Sequence, residues 1–319
     1  MLIYTAKRLA GAIPLLLAVS MVVFGAMHLA PYDVIDSFAR PDMTQEQEDR
    51  LRQRYGLDRP VPIQYLNWLA GVLRGNFGYS LVSQHSIADD LATKIPNSIT
   101  LVAPAYLLAL AIAIVLGLVA GANRGRPLDT AIDTGNAIGI SLPTFWFALL
   151  VIYLFGYHLR WFPIIGMHSV GQTDLPDLAR HLAMPCLVLT VAFFPDLARY
   201  VRSSTISQLG EDYVTVQRAF GASTSAIFRR HVSRHVLAPI ITQVGLALPM
   251  LVTGAVITET IFAWPGVGKY FLDAVHQMDY PVVMAVLLLS SALVVVGNLL
   301  ADILYRVADP RVRLTGAAA

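Results

Sequence analysis

Few residues in this 319-residue chain are of types and spacings that could do chemistry. The nearest approach to a phosphate-binding loop is AWPGVGKY at 263–270. Ala263 stands there in place of the first Gly, and Tyr270 in place of the Ser or Thr that would hold Mg²⁺. A hydrolase working inside a membrane would need HExxH, GxSxG or paired aspartates in facing apolar segments, and none of these occurs. His231 and His235 are spaced i, i+4 on a predicted helix, a separation metal ligation can use. Arg230 and Arg234 flank them and no acid lies between, so the pattern reads as a solvated basic face. Cys186, the single cysteine, permits neither an internal disulfide nor a Cys-based metal site and reads as a small packing residue. No catalytic residue, metal or cofactor is assigned to the chain.

The elements that would position any site are membrane spans. Hydrophobic residues make up 56% of the sequence and charged residues only 14%, too few charges for a water-soluble surface. A net charge of +2 is far too small for a nucleic-acid footprint. A helix crossing a hydrocarbon core of roughly 30 Å needs about 20 apolar residues. Five uncharged runs qualify, at 9–30, 98–122, 134–159, 236–258 and 282–301; a sixth apolar run, at 181–198, contains Pro185 and Pro195 and carries Asp196 in its last turn. The first follows Lys7 and Arg8; at about 22 residues it exceeds the roughly 7–15 of a secretory signal and is expected to stay as an anchor. The chain is therefore predicted to be an all-α polytopic membrane protein with six transmembrane helices. Thirteen Lys and Arg fall in the termini and even-numbered loops, against three (Arg160, Arg180, Lys269) in the short loops opposite, which predicts cytoplasmic N and C termini. Only Asp196, Glu259 and Asp302 sit at span margins, so an ion-coupled carrier, the competing class of transporter, has little to relay with.

The predicted organisation is a cytoplasmic N-terminus and first span at 1–30, an extracytoplasmic subdomain at 31–97, a core of five spans at 98–305 and a cytoplasmic tail at 306–319. The outer subdomain carries helix signals of the soluble kind. Thr44 and Gln47 form a capping box, followed by acids early and Arg50, Arg52 and Arg54 late, with Gly56 as the stop. A second helix is predicted at 61–74, with Tyr65, Trp68 and Val72 on one stripe and Leu66, Leu69 and Leu73 beside it. It suits either the membrane interface or a lid packed over the spans. Polar residues in the spans, Asn136, Ser141, Thr144, Gln243 and Asn298, fit either a translocation path or interhelical packing. Pro143 and Glu259 join them as candidate gate positions.

The unusual cytoplasmic element is 199–235. It has no Pro between Pro195 and Pro239, and from Glu211 on it has one turn signal, at Gly221, so it reads as helix, turn, helix, with Ser223 capping the second. Such a projecting helix, backed by Arg229, Arg230 and Arg234, fits either a groove on a partner or an ordinary amphipathic surface loop.

Here the sequence resembles the inner-membrane permeases of ATP-binding-cassette importers, specifically the dipeptide, oligopeptide and nickel class. Asp212, Tyr213, Val214, Arg218, Ala219, Gly221 and Ser223 match that class's ATPase-docking EAA loop, with Ala222 inside the match, and the likeness continues through Arg230, His231, Arg234 and Pro239. It departs at Thr215, Val216, Gln217 and Phe220, where the class usually has Arg, Thr, Ala and Lys. YGLDRPVPIQYLNWLAGVLRGNFGYSL at 55–81 resembles the outer-loop signature, and PYDV at 31–34 stands for the usual PGDP. Ser141, Pro143 and Phe145, then Trp161, Pro163 and Gly166, fit the third span and the turn beyond. Glu259, Phe262, Trp264, Pro265, Gly266 and Gly268, with Asp279, Tyr280 and Pro281, match the region around the fifth span. Asp302, Tyr305, Asp309, Pro310, Arg311 and Arg313 match the C-terminal signature.

The resemblance implies a type I importer permease in a prokaryotic cytoplasmic membrane. Its implied partners are a homologous second permease, two ATPase subunits that use ATP and Mg²⁺, and an extracytoplasmic binding protein. The implied cargo is peptide, with nickel chelates, glutathione or another small solute as alternatives. Asp212, Tyr213, Arg218, Ala219, Gly221, Ala222, Ser223, Arg229 and Arg230 would couple to the ATPase. Tyr65, Trp68, Arg74 and Trp264 are candidates for meeting the binding protein.

Overall fold

The structure is a computed structural model that describes residues 2–28, 44, 46, 47, 49, 50, 53, 58–233, 236, 240–253 and 255–308. The PYDV segment, most of the first predicted outer helix, Arg234, His235, Pro239 and the tail from 309 lie outside the described residues, as do the side chains of Arg229, His231, Asp302 and Tyr305. Of the predicted capping box, the Thr44 N–H donates to Gln47 Oε1 at 2.9 Å.

Twelve α-helices are described: α1 Leu2–His28, α2 Val61–Leu73, α3 Ile87–Ala122, α4 Pro127–Ser141, α5 Thr144–Val151, α6 Leu175–Leu209, α7 Asp212–Ala219, α8 Thr224–Ile227, α9 Ile240–Thr253, α10 Val256–Ile261, α11 Val267–His276 and α12 Tyr280–Ala308. Helices α5 and α8 each run on into a π-helical turn, Ile152–His158 and Phe228–Val232. Apart from an isolated bridge between Tyr79 and Ser86, no β structure occurs among the described residues.

By length and composition, three described helices can cross a membrane, at Ile87–Ala122, Leu175–Leu209 and Tyr280–Ala301, and Ala10–Ala26 is a shorter apolar helix. The expected third span is not one helix. α4 and the helix that starts with α5 meet at 95°. The cause is local: Pro143 disfavours helical backbone at the residue before it, and Leu142 is accordingly extended at φ −78, ψ 117. The run at 236–258 is broken too, with Ala255 at φ −103, ψ 81 between α9 and α10. The runs at 98–122 and 181–198 are instead parts of longer helices, of 36 and 35 residues. Pro96, Pro104, Pro185 and Pro195 are all absorbed within them.

The closest packing joins α3 to α6. A β-carbon on Gly117 would stand 2.5 Å from Val201 Cβ, and one on Gly121 2.5 Å from Thr205 Cβ. The two glycines, one helical turn apart, therefore let the backbones approach to a distance no other residue permits. The Thr205 hydroxyl is satisfied within its own helix, donating to Val201 O at 2.7 Å, so this contact needs no polar partner across it. α9 and α12 repeat the device. A β-carbon on Gly245 would lie 2.6 Å from Ala301 Cβ, and one on Gly297 2.8 Å from Pro249 Cδ.

Gly117→Leu is expected to cost at least the ~1–3 kcal/mol of an overpacked core, seen as a lower unfolding temperature or loss of a monodisperse species in detergent. Gly135→Ala, at a helical position with nothing within 4 Å, is the control and should leave stability unchanged or slightly raised.

Candidate coupling and gate site

α6 ends at Gly210, and Glu211, extended at φ −73, ψ 149, starts α7. α7 ends in a Schellman turn. The Ala222 N–H donates to Gln217 O at 3.1 Å and the Gly221 N–H to Arg218 O at 3.0 Å. This geometry puts Gly221 at φ +82, a conformation costing a side-chain-bearing residue roughly 1–2 kcal/mol. Ser223 then caps α8, its Oγ accepting from the Ala226 N–H at 3.3 Å, as the sequence predicts.

This helix–turn–helix is seated on a hydrophobic cluster. Val214, Ile227 and Val232 are buried with Val201 of α6 and Ile240 of α9, and Tyr213, Ala222 and Leu118 pack around them. Tyr213 donates to Gln208 Oε1 at 3.2 Å, and burial, with Glu211 nearby, raises its hydroxyl pKa above the ordinary tyrosine value. The opposite side is open: Asp212, Arg218, Ala219, Gly221, Ser223 and Arg230 are exposed. So are two apolar residues spaced i, i+4, Val216 at 53% and Phe220 at 87%. Arg202, about two turns before the end of α6, grips Asp129 of α4 through two bonds, Nε to Oδ1 at 2.6 Å and Nη2 to Oδ2 at 2.9 Å. The Gly125 N–H adds a third to the same carboxylate.

A second knot lies beyond the break in the fifth predicted span. Glu259 is fully buried. Ser98 Oγ of α3 donates to its Oε1 at 2.7 Å, and the Lys269 N–H, in the first turn of α11, donates to Oε2 at 3.0 Å. Ser98 Oγ also accepts the Val267 N–H at 2.8 Å. The carboxylate thus takes the place of a capping residue at the positive end of α11. Gly266 is required for it, because any β-carbon there would collide with the Glu259 carboxyl. The adjacent Trp264 is completely buried, its indole N–H donating to Asn97 O at 2.8 Å, while Asn97 Nδ2 returns a bond to Pro265 O at 3.0 Å. In this conformation Trp264 packs and cannot meet another protein.

Similar carboxylate staples fix the same end of the helices. Asp279 accepts from Ser80 Oγ at 2.5 Å and from the Leu81 N–H at 3.1 Å. Tyr270 donates to Asp90 Oδ2 at 2.9 Å; burial and that carboxylate push its hydroxyl pKa far above the usual range. Asp177 accepts from the Ser169 N–H and hydroxyl at 2.9 and 2.7 Å, and His181 Nδ1 lies 3.1 Å from Gly166 O.

The candidate path residues are distributed along the helices. Ser141, Pro143 and Thr144 mark the 95° bend, with Ser141 and Pro143 exposed and Ser141 Oγ donating to Ala137 O at 2.8 Å. Gln243 is half-buried, and its backbone carbonyl accepts from Tyr106. Asn298 is exposed. Asn136 is buried with neither side-chain amide atom hydrogen-bonded among the described residues. Tyr65 and Trp68 turn their rings onto Phe24 of α1, and Arg74 is exposed. Ser98, Asp129 and Asp177, the partners that organise these knots, carry no motif that sequence reasoning could isolate.

Ser98→Ala strips a donor from Glu259 and an acceptor from Val267, each loss costing about 1–3 kcal/mol. It should lower the unfolding temperature in detergent clearly more than Ser141→Ala, whose exposed hydroxyl bonds only within its own helix.

Two family models cover most of the chain. Residues 113–314 match the binding-protein-dependent transport system inner membrane component, and residues 1–102 match the N-terminal model of the same system. Curated relatives align over nearly their full lengths. The oligopeptide transport system permease AppB of Bacillus subtilis is 36% identical over 97% of this chain and 98% of its own. The di/tripeptide transport system permease DppB of Pseudomonas aeruginosa is 35% identical over 98% and 99%, and the glutathione transport system permease GsiC of Escherichia coli 33% over 98% and 99%. Among solved structures, the methionine ABC transporter MetNI in inward-facing form shares the fold, with a TM-score of 0.54 and 18% identity over 69% of this chain and 96% of that one. With a matching membrane-component model over most of its length and relatives above 30% identity from end to end, the chain belongs to the family of binding-protein-dependent transport system inner membrane components.

Proposed function

We propose that the chain is one permease subunit of an ATP-driven importer of peptides, contributing half of the path across a prokaryotic cytoplasmic membrane. The observation that carries this reading is the α7–Gly221–α8 element. It is clamped to the inner cluster on one side and presents Val216 and Phe220 to solvent on the other. A chain with no nucleotide-binding motif of its own needs a partner to deliver energy, and an exposed apolar pair on a rigidly seated helix is where an ATPase subunit would push.

In this reading the chain crosses the membrane six times with both termini cytoplasmic, counting the bent α4–α5 unit and the broken α9–α10 unit as one crossing each. It pairs with a second, homologous permease, and a binding protein delivers solute to the opposite face. ATP binds the closed ATPase pair more tightly than the open one, and that difference biases the permease pair toward its outward-open state. The chain itself makes and breaks no covalent bond. Peptide as cargo rests on the names of the peptide and oligopeptide permeases among its relatives. The glutathione permease among them keeps a small thiol peptide in the same range, and a nickel chelate or another small solute is the wider alternative.

Gly221→Arg forces a long side chain into a positive-φ turn, and Phe220→Asp puts a charge on the exposed apolar residue that ends α7. Each should insert into the membrane normally, yet lose ATP-dependent peptide uptake and co-purification of the ATPase subunits. Normal uptake by both variants would overturn the docking assignment.

A further inference from the structure

Helix α2 presents a surface that the transport cycle described above does not use. From Val61 to Leu73 it contains no charged residue, and it is bracketed by Arg59 and Arg74. One side faces α1. Tyr65 and Trp68 set their rings 5.5 and 5.6 Å from the Phe24 ring, and the Tyr65 hydroxyl lies 2.8 Å from Ser20 Oγ. Both Ser20 and Phe24 are buried. Yet α2 leaves a second apolar face open, with Leu66 at 61% and Leu73 at 80% exposure and Ile63 also exposed. Its polar positions, Gln64, Asn67 and Gly71, are confined to a stripe at i, i+3, i+7 spacing.

A helix that is apolar around most of its circumference needs a non-aqueous neighbour on each apolar side. Two neighbours are conceivable for the open face. A binding protein that comes and goes would leave Leu66 and Leu73 in water between encounters, a costly arrangement for a contiguous apolar surface. The bilayer would cover them permanently. The position favours the bilayer. Beside Ser20 and Phe24, α1 exposes Met21 and Val22, part of an apolar helix that belongs in lipid, and the open face of α2 is joined to α1 at that level. Phe24 stands six residues before the end of the apolar run at 9–30, about 9 Å along a helix axis. That depth fits a helix sunk roughly 5–10 Å into the headgroup and acyl boundary. The flanking arginines can reach phosphate groups from there, and Tyr and Trp are the residues favoured at that depth.

We propose that α2 is an interfacial membrane helix. It lies in the leaflet at the C-terminal end of α1, with Leu66 and Leu73 in contact with phospholipid and Gln64, Asn67 and Gly71 toward water. Its aromatic residues staple it to the first span instead of offering a docking site. The assignment is independent of which solute the transporter carries.

Site-directed spin labelling tests it directly. In a Cys186→Ala background, Leu66→Cys, Leu73→Cys and Asn67→Cys are labelled in the full chain, reconstituted into phosphatidylethanolamine–phosphatidylglycerol vesicles. Collision with oxygen is then compared with collision with a water-soluble nickel chelate. The labels at 66 and 73 should favour oxygen and the label at 67 the chelate, giving opposite signs of the depth parameter on neighbouring residues. Because 66 and 73 are exposed and separate, failure of one variant to fold leaves the other as the test. Equal aqueous accessibility at all three positions would overturn the proposal. So would protection of 66 and 73 that arises only on adding the binding protein, which would assign the face to that protein.

Discussion

The contact on which the rest of the structure depends is the approach of α3 to α6 through Gly117 and Gly121. Both helices are long, and each carries machinery at both ends. A third of the way along, α3 supplies Ser98 to the Glu259 knot, and at its far end Leu118 packs beneath the α7–α8 element. α6 begins at the Asp177 cluster and ends where Arg202 grips Asp129 and Val201 seats Val214. Because the glycines let Val201 and Thr205 pack directly on the α3 backbone, the pair behaves as one spine. A push on α7 then has a rigid body to act on, which a loosely packed pair would not provide.

Buried carboxylates do structural work at both ends of that spine. Glu259 holds the first turn of α11, Asp279 holds the Ser80–Leu81 segment, and Asp129 holds α4 to α6. Each is matched by backbone N–H groups, hydroxyls or a guanidinium, so its charge is spent on positioning. At one span margin the acid, Glu259, is thus committed to capping a helix. In the proposed function the energy for transport enters by contact, at the open side of α7.

Much of this was legible in the residues. The helix at 61–74 is found at Val61–Leu73 because Pro60 and Pro62 favour its start and a Gly lies just past its end. The turn at Gly221 and the cap at Ser223 follow from backbone rules that act within four residues. The break at Leu142–Pro143 was also written locally, but an uncharged run of apolar residues masks it when spans are counted by hydropathy alone. Other features depend on distant partners. Asp89, Asp90 and Lys94 make the start of α3 look like soluble loop, although tertiary packing carries the helix straight through them. Glu259 reads as a gate candidate, and only the approach of Ser98, 161 positions earlier, and of α11 reveals it as a cap. Trp264 reads as a surface aromatic until its burial against Asn97 is seen. The turning of Tyr65 and Trp68 toward α1 likewise could not come from a stripe pattern that fits membrane and protein equally well.

The central claim is that the chain conducts solute with energy delivered by partners. The most direct measurement is peptide accumulation in proteoliposomes holding the full complex, with ATP enclosed on the side of α7 and binding protein on the other. The account predicts accumulation that requires both ATP and binding protein and that persists when proton and sodium gradients are collapsed. Accumulation by this chain alone, driven by either gradient without ATP, would contradict it.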